Sequence, residues 1–176
     1  MRLFFALMPS EAMIEAVQPL MFGVGGARWQ TERQLHLTLR FVGDVSGRTA
    51  DDLADALLMR PITLPPIGLS GVGFFESSHR PNALWVRATP REPLALLHRK
   101  LDRACQAEGL EPDHRAYIPH MTVARLSRSA GPISGWIEAN AGFATPPMAF
   151  ARCSLVESSL TEAGSHYEEL AWVPLV

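Results

Sequence analysis

Two tetrapeptides, HLTL at His36–Leu39 and HMTV at His120–Val123, repeat the pattern His-x-Thr-x within one chain. Residues two apart on a strand project to the same face, so each copy sets an imidazole beside a hydroxyl. Histidine titrates near pH 6.5 and gives or takes a proton at neutral pH. A threonine hydroxyl donates a hydrogen bond to a phosphate oxygen without adding charge. Two such strands facing one cleft would surround a single phosphorus atom with two imidazoles and two hydroxyls. One imidazole would deprotonate the attacking oxygen while the other protonates the leaving oxygen. Each general acid or base contributes on the order of 10²- to 10⁴-fold, so a pair is enough to drive phosphodiester cleavage without a metal. A single His-x-Thr on a half-buried strand is also ordinary strand composition, since threonine favours strands. The second copy is what gives the pattern meaning.

The elements that must position these residues are legible in outline. Arg2 to Leu7 reads as a strand, and Ser10 caps a helix from Glu11 whose Met13, Ile14, Val17, Leu20 and Met21 share one face. Gly23 to Trp29, GVGGARW, reads as a loop; it follows a helix and lacks the Lys-Ser/Thr ending of a phosphate loop. Leu35 to Gly43 alternates, with Leu35, Leu37, Leu39 and Phe41 toward a core and His36, Thr38 and Arg40 on the polar face. Arg40 there has the position of a rim charge or of a group at the site. Ala50 to Arg60 reads as a helix ended by Pro61, Ile62 to Phe75 as a proline-interrupted edge strand, and Ala83 to Ala88 as a strand. Glu92 to Gly109 is the clearest helix, with Leu94, Leu97, Leu101 and Ala104 as its stripe and His98 off it, on a solvated face. Arg115 to Leu126 is the strand of the second motif. A short helix near Ile133 to Asn140 follows, then strands Met148 to Leu160 and His166 to Val176 joined as a hairpin. The order β-α-β-α-β-β-α-β-α-β-β falls into two comparable halves, each with one His-x-Thr strand. That predicts a duplicated α+β architecture with two sheets facing each other across a cleft.

Composition narrows the partners. The chain has 176 residues, 19% of them charged and 47% hydrophobic, with a formal charge of -2. That is a globular composition without a global basic field for long nucleic acid, so an anionic substrate must be met by a local site. The opening MRLFFALM is too short for a signal core, no run is long enough for a membrane span, and the expected location is the cytoplasm. Cys105 and Cys153 have no CxxC spacing and read as buried thiols. A zinc site needs three or four ligands at tight spacing, and neither motif histidine has Cys, Asp or Glu in register. His79 and His114 fall in loops and His166 opens the last strand, outside the site. Phe4, Phe5, Trp29 and Tyr117 are candidates for stacking on a base, and sequence does not choose among them.

The chain resembles the two-histidine phosphoesterase superfamily, and within it the bacterial RNA 2′,3′-cyclic phosphodiesterases, also called 2′-5′ RNA ligases. RLFFAL with its Pro-containing turn and acidic helix, ARW ahead of LHLTLRFVGDV, PHMTVARL, and SLVESSLTEAGSHYEEL resemble the family's segments in order. The resemblance implies an α+β fold of two similar lobes with pseudo-two-fold symmetry and a central catalytic cleft, the whole of residues 1–176 forming one such domain. It implies hydrolysis of RNA 2′,3′-cyclic phosphate ends to 2′-phosphomonoesters, with reversible ATP-independent 2′-5′ ligation as the same chemistry. It implies no cofactor and no metal. RNA ends or small cyclic nucleotides are the substrates, with no membrane and no obligate protein partner. His36 and His120 are then the catalytic pair, His36 the acid at the leaving oxygen and His120 the base for water, with Thr38 and Thr122 on the phosphate oxygens. Arg125 would add positive charge near the phosphate or its sugar. It lies five residues after His120, which a regular strand would turn to the opposite face, so it requires either a bulge or a side chain reaching around the strand end. An ADP-ribose cyclic phosphodiesterase and a non-catalytic RNA-end binder are the competing readings.

Overall fold

A computed structural model describes residues Met1–Val176. The chain runs β1 (Arg2–Met8), α1 (Glu11–Val17), a 3-10 turn (Gln18–Leu20), β2 (Ala27–Trp29), β3 (Leu37–Asp44), α2 (Gly47–Leu58), β4 (Gly68–Ser77), β5 (Arg80–Thr89), α3 (Arg91–Ala107), β6 (His120–Leu126), α4 (Ser134–Asn140), β7 (Arg152–Thr161) and β8 (Gly164–Pro174). The order expected from sequence is present, with one strand more.

Local chemistry sets the boundaries. The Ser10 hydroxyl accepts from the Met13 amide (3.4 Å) and starts α1. Ser46 does the same for Thr49 (3.2 Å), so α2 begins three residues before the expected Ala50. The extra strand is Ala27–Trp29, read from sequence as part of a loop. It is too short to show a period, and it exists because Ala27, Arg28 and Trp29 pair with Leu126, Arg125 and Ala124 of β6. Conversely, the second motif strand begins at His120 rather than Arg115, because Pro119 cannot donate to a ladder. β7 likewise starts at Arg152, and Met148 makes only an isolated bridge to Ile67.

The strands form one sheet in the order β4-β5-β6-β3-β1-β7-β8, with β2 beside β6. Two four-stranded halves meet where β3 and β6 pair antiparallel through a single position, Leu37 with Met121. The two sheets expected to face one another are therefore hydrogen-bonded together at this seam. Antiparallel neighbours are related by a local two-fold axis, and here it passes between the middle residues of the two His-x-Thr motifs.

All four helices feed one core of 33 buried residues, to which β1 contributes Leu3, Phe5 and Leu7. Phe4 and Ala6 point the other way, into a small cluster with Val156. The sheet thus has a helix-covered face and an open one. Cys105 and Cys153 are free and buried, and burial pushes their thiols up to about 11 and about 12.

Candidate active site

His36, Thr38, His120, Thr122 and Arg125 line one pocket of about 300 Å³ on the open face. The seam explains the gathering. Antiparallel register about Leu37 and Met121 sets His36 across from Thr122 and Thr38 across from His120, so each imidazole has the other strand's hydroxyl as a neighbour.

Both motif strands carry the same irregularity one residue after the threonine. On β1, Phe5 pairs with Arg40 and Ala6 with Thr38, so one step on β1 spans two on β3. On β5, Leu84 pairs with Ala124 and Trp85 with Thr122, with the same excess on β6. Each bulge resets the alternation. Leu39 and Arg40 are both buried, as are Val123 and Ala124, and the next residues, Phe41 and Arg125, emerge at the pocket. The bulge is what returns Arg125 to the face of His120. It also overturns two expectations: Phe41 leaves the core side and is 48% exposed, while Arg40 leaves the polar face and is 6% exposed.

The two imidazoles are held alike. His36 Nδ1 lies 2.7 Å from the Gln34 carbonyl oxygen and His120 Nδ1 lies 2.6 Å from that of Ile118. A carbonyl only accepts, so each Nδ1 carries the hydrogen and Nε2 is the nitrogen left for a substrate. Rings fix each imidazole from the sides. Phe4 and Tyr167 flank His36 at 4.9 and 5.1 Å, and Phe75 and Trp85 flank His120 at 4.8 and 6.0 Å. Burial in this apolar setting pushes His36 down to about 4, opposed by the Gln34 hydrogen bond and helped by the Arg125 and His120 charges. His120 is also lowered, by burial first and by Arg125 after the opposing Ile118 bond. Both shifts favour the neutral form of the rings at pH 7.

Behind the pocket, buried polar groups tie β3 to the segment 110–119. Arg40 Nε donates to Asp102 of α3 (2.6 Å), and its guanidinium also donates to the carbonyls of Phe41 and Glu111. The Asp102 carboxylate accepts the Asp113 amide at 3.0 Å as well. Asp113 then holds Arg115 through both carboxylate oxygens, which lowers its own carboxyl to about 2. Arg115 in turn lies 5.6 Å from the Phe41 ring centre. His98, expected on a solvated face of α3, is 8% exposed; it contacts the Leu39 carbonyl (2.6 Å) and stacks on Tyr117 at 4.5 Å. The Tyr117 hydroxyl donates to the Thr38 carbonyl (3.2 Å).

Phe41, Phe75, His98, Asp113, Arg115 and Tyr117 thus join the five expected residues around the pocket. Of these, only Tyr117 was among the aromatic candidates, and the others carry no motif: they are delivered by a bulge, a neighbouring strand, a helix and an irregular segment. Phe5 lies in the core, Trp29 packs on Trp136 at 6.3 Å, and Phe4 supports His36. His79, His114 and His166 are exposed and outside the pocket, as expected. Nowhere do three or more His, Cys, Asp or Glu side chains gather in a way that would hold a metal ion. No helix is long and apolar enough to cross a membrane.

Against known proteins, the sequence profile of the 2′-5′ RNA ligase superfamily matches residues 9–156. An RNA 2′,3′-cyclic phosphodiesterase of Thermotoga maritima is 27% identical over 176 residues, covering 97% of this chain and 93% of the relative. Its counterpart in Methanothermobacter thermautotrophicus is 30% identical over 142 residues, 77% of this chain and 76% of the relative. In three dimensions, a protein of Thermus thermophilus superposes with a TM-score of 0.71 at 25% identity, over 99% of this chain and 98% of that one. LigT of E. coli, solved with 3′-AMP, also gives 0.71, at 23% identity over 99% and 97% of the two chains, and so shares the fold.

Proposed function

The chain belongs to the 2′-5′ RNA ligase superfamily, and from that premise we propose that it hydrolyses RNA 2′,3′-cyclic phosphate ends to 2′-phosphomonoesters by two-histidine acid–base catalysis, residues 1–176 acting as one domain of two similar lobes. The observation that carries this reading is the Leu37–Met121 pairing, which brings both His-x-Thr motifs around one pocket. The names of the relatives supply the substrate.

In this reading the cyclic phosphate sits between the two Nε2 atoms. Thr38 and Thr122 donate to its non-bridging oxygens, and Arg125 meets the charge that grows on them as the transition state forms. Following the family assignment, His120 takes a proton from water while the water oxygen bonds to phosphorus. The bond from phosphorus to the 3′ oxygen breaks, and His36 gives that oxygen its proton. The turn ends with a 2′-phosphate, a 3′-hydroxyl and the two histidines in exchanged protonation states, which a proton exchange with solvent resets. A 5′-hydroxyl of RNA in the place of water would bond to phosphorus as the 3′ oxygen leaves, giving the ATP-independent 2′-5′ joining reaction, and attack of the 3′-hydroxyl on that bond would reverse it.

His36 needs a proton to serve as acid, and burial opposes it. An anionic phosphate beside the ring favours the protonated form, so the substrate itself offsets the effect of burial. Phe41 with Arg115 behind it forms an aromatic surface at the pocket's edge suited to a base.

The test is turnover of a 2′,3′-cyclic-phosphate oligonucleotide beside ADP-ribose 1″,2″-cyclic phosphate, each in excess chelator. The reading requires the oligonucleotide to open to a 2′-phosphate resistant to a 3′-specific phosphatase. Preference for the ADP-ribose ester, a 3′-phosphate product, or activity lost to chelator and restored by zinc or manganese would each defeat it.

A further inference from the structure

The open face continues past Arg125. β2 lies beside β6 there, and Arg28 is the direct cross-strand partner of Arg125. Partners across an antiparallel pair share a face. Trp29 and Ala27, on either side, turn into the helix-covered core, so Arg28 projects on the cleft side. Both arginines are exposed. Neither is neutralised: the chain's ion pairs engage Arg40, Arg48, Arg99, Arg115 and Arg152. Like charges directly opposite one another destabilise a sheet, and an anion between them reverses the sign of that interaction.

Arg28 is also placed rather than loose. Its Nη1 lies 3.1 Å from where a Cβ of Gly164 would stand, in the β7–β8 turn at φ +111. Gln34 donates to the Ser165 carbonyl (2.9 Å) beside it, binding that turn to the segment that leads into His36. A side chain at position 164 would fill the room that the guanidinium occupies. Arg28 therefore sits where the two halves of the sheet approach, at the end of the cleft.

We propose that Arg28 is the seat of a second phosphate, the one carried on the 5′ oxygen of the ribose whose 2′,3′-cyclic phosphate is opened. This rests on the reading of the pocket given above. An RNA end presents only two anionic groups on its last nucleoside: the cyclic ester and the 5′-linked phosphate. Arg125 belongs to the first, and Arg28 stands one strand further out on the same face. The chain's net charge is -2, so the unpaired guanidinium of Arg28, like that of Arg87 across from His120, is a local feature, not part of a general basic surface. The consequence is selectivity for a nucleotide bearing a 5′ phosphate, in an oligonucleotide or free, over a bare nucleoside cyclic phosphate.

The experiment compares kcat/KM for adenosine 2′,3′-cyclic phosphate, its 5′-phosphorylated form and the ApA dinucleotide ending in a cyclic phosphate, with the wild-type chain and with Arg28→Ala and Arg28→Lys. The wild type should favour the two substrates with a 5′ phosphate. Arg28→Ala should lower that preference on the order of tenfold, the value of one charge-assisted contact, while leaving the bare nucleoside ester within about twofold on the same scale. Arg28→Lys should recover part of it. Equal gains for both phosphorylated substrates mark recognition of the phosphate itself; a gain for the dinucleotide alone marks the RNA chain as its source. An unchanged preference in Arg28→Ala, or an equal loss on all three substrates, overturns the proposal and leaves Arg28 a support for the Gly164 turn. A wild type that opens none of the three overturns the underlying function and this inference with it. Should Arg28→Ala not fold, the wild type alone decides: kcat/KM should fall more steeply with added salt for the phosphorylated substrates than for the bare nucleoside ester, because salt screens the extra charge contact, and equal slopes refute the contact.

Discussion

The pH dependence follows from the two histidines. Turnover needs one imidazole protonated and one neutral, and in the free protein burial holds His36 at about 4 and His120 below its ordinary value. The singly protonated enzyme is most abundant between two such values, so kcat/KM, which reports the free enzyme, should peak on the acid side of 6.5. The complex behaves differently. A phosphodiester anion about 4 Å from an imidazole, at an effective dielectric constant near 20, favours the protonated ring by about 4 kcal/mol. At about 1.4 kcal/mol for each pH unit, that is enough to carry His36 from about 4 into the neutral range. The bell for kcat should therefore lie above the bell for kcat/KM. Arg125 contributes to holding both rings down, so Arg125→Gln should move both limbs of kcat/KM to higher pH. The assay is initial rate on a cyclic-phosphate oligonucleotide, which stays anionic throughout the range, at saturating and limiting concentration. A kcat/KM bell centred above 6.5, or one superimposed on that of kcat, would refute the argument from burial.

Other expectations are as direct. His36→Ala and His120→Ala should each cost on the order of 10² to 10⁴ in rate, and the double variant much less than the product, because the pair acts as a unit; a better leaving group should rescue the variant that lacks the acid, and near-wild-type turnover in either would end the two-histidine account. Arg40→Met leaves the Asp102 carboxylate, 13% exposed, without its cation, and should cost about 3–5 kcal/mol in urea unfolding; a cost within about 1 kcal/mol would show the pair to be replaceable. Gly73→Ala would drive a methyl into the Trp85 indole, which lies across Gly73 on the open face beside His120; overpacking of this kind costs about 1–3 kcal/mol, and the displaced ring should lower kcat more than it lowers stability, so a variant of wild-type rate would show that Trp85 does not brace His120.

The sequence was most legible where a period or a motif spans a whole element. The alternation around His36, the stripe of Leu94, Leu97 and Leu101, and the order of strands and helices all appear in the fold. Legibility failed at the bulges. A bulge is one unpaired residue set by the partner strand; LTLRF does not announce it, and at MTVAR only the role expected of Arg125 points to one. The exchanged positions of Phe41 and Arg40 follow from that offset. His98 was misplaced for another reason: beside an apolar stripe it reads as solvated, but segment 110–119 covers it and Tyr117 stacks on it. Strand β2 is not legible in the sequence because three residues have no period and owe their conformation to β6.

The matched bulges also divide the labour of mutation. In a regular strand, the fourth residue after each histidine would share the cleft with it and the fifth would pack inside. With the extra residue inserted, the fourth position, Arg40 or Ala124, answers to the helices, and the fifth, Phe41 or Arg125, answers to the cleft. The two are adjacent in the chain yet face separate demands: one of volume and charge burial, the other of chemistry toward whatever enters. A change at the fifth position can therefore trade a cation for a ring without repacking the interior, and the two halves of this chain hold one example of each.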